Sequence, residues 1–172
     1  MASLMENLID TLGQESREYE QLLALTRKKT RIIASANLED LQKITDDEQQ
    51  IVSRISNLEK KRVEVTADIA NVLNRDVTQL KLTDLVDMMS GRAADQEKLA
   101  AVHDSLKVTV RELQRINEQN KTLLEDALEM VQFEMNLLQA SKAAPETANY
   151  TRNAYNSGAQ MGVSNGNFDA KQ

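Results

Sequence analysis

The fold is decided by residues 111–139, which read RELQRINEQNKTLLEDALEMVQFEMNLLQ. When every third or fourth residue is taken from Leu99 to Leu137, nine of the twelve positions are apolar. Apolar residues at this spacing share one side of an α-helix and form the contact row, or seam, of a coiled coil. The stretch therefore predicts a long amphipathic helix that packs along other helices.

A second apolar stripe lies beside this seam in the C-terminal half of the helix. It consists of Leu124, Leu128, Val131, Met135 and Leu138. The two stripes together are wider than the face that one antiparallel neighbour can cover. We expect another helix, a second copy of the chain or a client protein to cover the remainder, because an exposed apolar stripe of this length favours association. Weak self-association is one such outcome.

Two helices are predicted upstream of this one. Helix 1 spans about residues 3–35 and starts with a capping box formed by Ser3 and Glu6. Helix 2 spans about residues 38–73, follows the N-cap residue Asn37 and has the most regular apolar spacing in the chain.

Charged residues interrupt the seams of both upstream helices. They are Glu15 and Lys29 in helix 1 and Glu48 and Arg62 in helix 2. We interpret Glu48 and Arg62 as charges at the seam edge, whose aliphatic stems pack while their heads reach water.

Helix 3 spans about residues 92–141, after a connector in which Leu82, Leu85, Met88 and Met89 predict a short helical turn over the bundle end. At 1.5 Å per residue helix 3 is roughly 75 Å long, against roughly 50 Å for each upstream helix. The surplus length is expected at its C-terminal end, where the apolar face is doubled. The predicted architecture is all-α: an elongated three-helix antiparallel coiled-coil-like bundle over residues 1–141.

The remaining residues, 142–172, are predicted to be a flexible tail. They are rich in Gly, Asn and Ser, a composition that buries too little apolar surface to offset the chain entropy of folding. Aromatic residues in such a tail are typical anchors for docking on a partner. The candidates are Tyr150, Tyr155 and Phe168.

Composition disfavours several classes of function. The chain has no cysteine, which removes disulfides and thiolate metal sites and favours a cytoplasmic protein. Its net charge of −6 comes without a basic block, so nucleic acid is a poor partner, and no apolar run is long enough for membrane insertion.

Catalytic and cofactor sites are not predicted. His103 is the single histidine, and the surrounding HDSLK lacks the Lys and Gly arrangement of phosphotransfer domains. No spacing gathers carboxylates and histidines for a metal, and no glycine-rich phosphate loop follows a strand. Asn117 and Asn120, on or beside the seam of helix 3, either fix the register of the bundle or bind a client helix.

The order and spacing of these helical patterns resemble the flagellar export chaperone family FlgN over nearly the whole chain. The matching residues lie in helix 1 (Leu12, Glu15, Tyr19, Leu22, Leu23, then Lys28 or Lys29 with Ile32 or Ile33), in helix 2 (Leu38, Leu41, Ile44, Glu48, Gln49 and the stretch Leu58, Glu59, Lys60, Lys61, Arg62), in helix 3 (Leu113, Asn117, Asn120, Leu123, Leu124, Leu128) and at the end of the tail (Phe168, Asp169, Ala170, Lys171).

The resemblance implies a cytoplasmic chaperone that binds hook-filament junction proteins and delivers them to the flagellar type III secretion apparatus. It also implies that the C-terminal part of the chain binds the client, and that a tail aromatic contacts the export gate. The predicted client-binding residues are Asn120, Leu124, Leu128, Val131, Met135 and Leu138. A structural coiled-coil adaptor or oligomerisation module is the alternative that fits the same periodicity.

Overall fold

The computed structural model of the chain describes residues 2–89 and 91–143. Over these residues it has no strand and contains four α-helices, with a short 3-10 turn at Val77–Gln79. The helices are α1 (Ala2–Ala34), α2 (Leu38–Leu73), α3 (Leu82–Met88) and α4 (Ala93–Ala143). The all-α class is confirmed for the described residues, and α3 is the short helical turn predicted in the connector. The predicted tail residues from 144 onward lie outside them.

Local chemistry explains the start of α2 but not the ends of α1. Asn37 is the N-cap of α2, and its side chain accepts a hydrogen bond from the backbone N–H of Asp40 at 3.1 Å, as predicted. α1 begins at Ala2, so Ser3 occupies a helical position instead of the N-cap predicted for it. The turn after α1 uses Ala36 in the left-handed backbone region, at φ 53°. This conformation usually needs glycine, so an alanine at this position does not indicate a turn.

α1 and α2 form an antiparallel hairpin. Ion pairs join early residues of α1 to late residues of α2, as Glu15 to Arg62, and late residues of α1 to early residues of α2, as Lys29 to Glu48. The three-residue turn between the helices permits no other direction.

The N-terminal part of α4 packs on this hairpin. Leu99 belongs to a buried cluster with residues near the start of α1, and Leu113 belongs to a second cluster further along with Leu22. α4 is therefore parallel to α1 and antiparallel to α2. The first cluster contains Met5, Leu8, Leu12, Val65, Ile69, Leu85, Met89 and Leu99, and the second contains Leu22, Ile51, Ile55 and Leu113.

Within the described residues the chain divides into two units, with the boundary between Leu128 and Glu129. The division falls inside α4 and within the predicted bundle of residues 1–141. The last buried residue of α4 is Asn120, and every side chain from 125 to 143 is exposed. The packing of α4 thus ends well before its helix does, because helical hydrogen bonds are local and need no tertiary partner.

Candidate functional site

Two ion pairs occupy seam positions between α1 and α2. The Glu15 side chain is 4% exposed and its Oε2 lies 3.1 Å from Arg62 Nε. Lys29 Nζ lies 2.7 Å from Glu48 Oε2, and Thr26 donates a hydrogen bond to the other Glu48 oxygen. The prediction that the Glu48 head reaches water is wrong, since this side chain is only 13% exposed. The reason is a facing cation that satisfies the carboxylate inside the seam.

The Glu15 pair lies in a polar cluster of the first unit. Burial raises the pKa of Glu15, and the positive charge of Arg62 opposes this shift without cancelling it. Tyr19 donates a hydrogen bond to Glu59 Oε1 at 3.1 Å, and burial together with this bond raises the pKa of Tyr19 to about 12. These side chains line a groove of about 270 Å³ that His103 also borders.

Asn120 is a buried bridge between α4 and α1. Its side chain is 4% exposed, its Nδ2 donates to the Thr26 carbonyl at 3.1 Å, and its Oδ1 accepts from the Thr30 hydroxyl at 2.6 Å. These bonds use the polar atoms that a client would need, which argues against the predicted client-binding role of Asn120. The placement favours the alternative role, which is to fix the register of α4 on α1.

The other predicted client-binding residues are accessible. Leu124 is half-buried, and Leu128 is 69% exposed at the end of the first unit. In the second unit Val131 is 52% exposed, Met135 is 50% exposed and Leu138 is 61% exposed. The predicted tail anchors Tyr150, Tyr155 and Phe168 lie outside the described residues.

Sequence reasoning missed one exposed aromatic residue. Phe133, in neither predicted stripe, is 66% exposed, as is Met130. The predicted seam passes from Met130 by a step of four to Glu134, whereas a step of three leads to Phe133 and then, by a step of four, to Leu137. Apolar residues at consecutive steps of three and four identify the row of Met130, Phe133 and Leu137 from sequence.

The described residues contain no grouping of three or more His, Asp or Glu side chains that could hold a metal ion. Within the same residues, no helix carries a stretch both long and apolar enough to span a membrane.

Comparison with known proteins gives one family and one curated relative. The family model described as FlgN protein matches residues 1–158, which include all four helices. The uncharacterized protein YvyG of Bacillus subtilis (strain 168) is 24% identical over 131 residues, which are 76% of this chain and 78% of that protein. No solved structure matches the chain.

Proposed function

The chain belongs to the FlgN family, a family of chaperones in flagellum assembly, and on this premise we propose that it binds hook-filament junction proteins and delivers them to the flagellar type III secretion apparatus. In this proposal it acts in the cytoplasm, before its client is exported. The family match supports the chaperone role, and the surface of the second unit supports the mode of binding.

The observation that carries the mode of binding is the concentration of exposed apolar side chains in Glu129–Ala143. Six of them are between 50% and 66% exposed: Met130, Val131, Phe133, Met135, Leu137 and Leu138. Apolar surface left in water forgoes about 25 cal/mol per Å², and contiguous exposed patches mark interaction sites. We infer that a client covers this helix.

The chemistry of the segment fits a helical client. Its apolar residues recur at helical spacing, which matches the side-chain rows of a second amphipathic helix. Two of the six are methionines, whose flexible thioethers adapt to more than one packing arrangement. Terminal helices of a junction protein have an apolar face that needs a cover until the subunit assembles, and this segment supplies one.

A paired mutant experiment tests this assignment. In the full chain, Leu128→Glu with Val131→Glu should abolish binding of a purified junction protein in calorimetry, since both side chains are more than half exposed. The melting temperature should change by only a few degrees, because surface substitutions usually alter stability by about 0.5 kcal/mol or less.

Ile55→Ala is the matched control. Ile55 is 5% exposed in the core, and truncating a buried Ile typically costs about 2–5 kcal/mol. This variant should lose stability yet bind the client at a temperature where it remains folded. If the Leu128 and Val131 variant unfolds, or if a peptide of residues 144–172 alone binds the client, the recognition surface is elsewhere.

Delivery to the export gate is proposed to use an aromatic residue of the tail. Tyr150, Tyr155 and Phe168 are each changed to Ala in separate variants. The variant that lacks the docking residue should secrete less client in cells. Client binding by the purified variant should be unchanged. If all three variants secrete the client normally, the tail aromatics have no part in delivery.

A further inference from the structure

The Glu129–Ala143 segment carries two separate apolar rows, each with coiled-coil spacing. Row one is Met130, Phe133 and Leu137, and row two is Val131, Met135 and Leu138. At about 100° per residue the centres of the two rows lie roughly 130° apart around the helix axis. A helix packed on a single surface shows one stripe about 100° wide. The segment therefore has apolar surface for two neighbours.

Glu134 lies midway between the two rows and is exposed. A single partner helix centred on the apolar face would cover this carboxylate. Removing a carboxylate from water is costly unless a cation pairs with it, so this position opposes central docking. Two partner helices, one on each row at the usual interaxial distance, would have axes roughly 16 Å apart. Glu134 would then stay in water between them.

We propose that the Glu129–Ala143 segment binds its client as two amphipathic helices, one on row one and one on row two, with Glu134 hydrated in the gap. This inference rests on the proposed function and specifies its partner: a protein that presents two helices together. Each helix uses a separate apolar row, so each contributes separately to affinity.

The charge of the Glu129–Ala143 segment indicates which residues flank the apolar faces of the client helices. The segment carries Glu129 and Glu134 against the single cation Lys142. Client helices with Lys or Arg beside their apolar residues complement this surface, whereas a second copy of an acidic chain of net charge −6 adds like charge. Charge therefore favours the client over a second copy as the occupant.

The test uses three variants of the full chain and a purified full-length junction protein as the probe. The row-one variant is Phe133→Gln with Leu137→Gln, and the row-two variant is Val131→Gln with Leu138→Gln. Glu134→Leu converts the divider into an apolar position. Gln139→Ala, on the side away from both rows, is the matched control. Helicity by circular dichroism should be alike for all, because each changed side chain is exposed.

Each row variant should weaken client binding at least tenfold, which corresponds to about 1.4 kcal/mol per row. Glu134→Leu and Gln139→Ala should bind within threefold of wild type. Synthetic peptides of the client's two terminal helices should each lose binding to one row variant and keep binding to the other. These results together support two-helix docking.

Other results overturn it in distinguishable ways. Loss of binding in one row variant alone leaves the chaperone function standing and refutes the second helix. Tightening of at least tenfold by Glu134→Leu shows a single helix centred on the divider. A wild-type dimer in sedimentation that either row variant dissociates makes a second copy the occupant. A wild-type protein that binds no junction protein refutes the proposed function, and this inference with it.

Discussion

Replacing Arg62 with Met should destabilise the first unit by stranding the carboxylate of Glu15. The Glu15 side chain is 4% exposed and Arg62 is the cation beside it, at 3.1 Å. Removing one partner of a fully buried pair costs about 3–5 kcal/mol. Because the Arg62 side chain is 38% exposed, solvent screens part of the interaction. We therefore expect a loss of about 2 kcal/mol in the free energy of unfolding, or about 6–8 °C in melting temperature.

The loss should depend on pH in a defined direction. Burial holds the pKa of Glu15 above its ordinary value of 4.5, and Arg62 limits that shift. Without Arg62 the folded-state pKa rises further, so the folded protein binds more protons than the unfolded chain at pH values above 4.5. Stability from this group then falls as pH rises through that range. The Arg62→Met defect should be larger at about pH 7.5 than at a pH well below 4.5, where Glu15 is protonated in both states.

Urea unfolding followed by circular dichroism at both pH values measures this effect. The matched control is Glu15→Gln combined with Arg62→Met, which removes both charges and keeps the side-chain length at position 15. It should recover more than half of the stability lost at the higher pH and should show little pH dependence of its own. A double variant as unstable as Arg62→Met alone, or a defect of equal size at both pH values, would refute the argument from the stranded carboxylate.

Three further predictions concern single positions. Ala36→Gly should raise the free energy of unfolding by about 0.5–1 kcal/mol in a urea titration because Ala36 has a φ of 53°, whereas Ala101→Gly within α4 should lower it by about 1 kcal/mol. Asn120→Ala should cost about 1–3 kcal/mol in the same measurement, since it leaves the Thr30 hydroxyl and the Thr26 carbonyl without their bonds to α4; an unchanged midpoint contradicts the bridging role. Glu59→Gln should lower the pKa of Tyr19 from about 12. The measurement is a titration of phenolate absorbance, in which Tyr19→Phe identifies the contribution of Tyr19. An unchanged pKa would mean that burial alone raises it.

The helices could be predicted from sequence because their signals are local. The apolar spacing and the cap residue Asn37 predict a helix over about residues 38–73, and the structure has α2 at Leu38–Leu73. The turn at Ala36 gave no such signal, since alanine rarely adopts a positive φ. Its conformation is fixed by the packing of the two helices it joins, which a local pattern does not contain.

The pairing of seam charges was missed because it depends on which helix faces which. Taken one helix at a time, Glu15 and Lys29 interrupt a seam, and so do Glu48 and Arg62. Taken together, the two charges in α1 have the same separation as the two in α2, and each helix has its acid before its base. An antiparallel hairpin therefore brings each acid opposite a base. That comparison between helices was available in the sequence.

The candidate site was only partly predictable. Row two came directly from the spacing of its apolar residues, but whether Asn120 faced a client or a neighbouring helix depended on the position of α1. The structure places it on Thr26 and Thr30, a contact between residues far apart in the chain. Phe133 was missed for a different reason: a choice between steps of three and four in following one row.

The two seam ion pairs also bear on how the hairpin avoids kinetic traps as it forms. Coiled-coil helices with regular apolar spacing can slip by one heptad and still bury apolar rows. In this hairpin a slip of seven residues in either direction moves Glu15 from Arg62 to a position opposite Ile55 or Ile69, and moves Arg62 opposite Leu8 or Leu22. Lys29 and Glu48 lose each other in the same step. Every such shifted register strands four charges at once, so the two ion pairs favour the native register of α1 and α2 without any contact from α4.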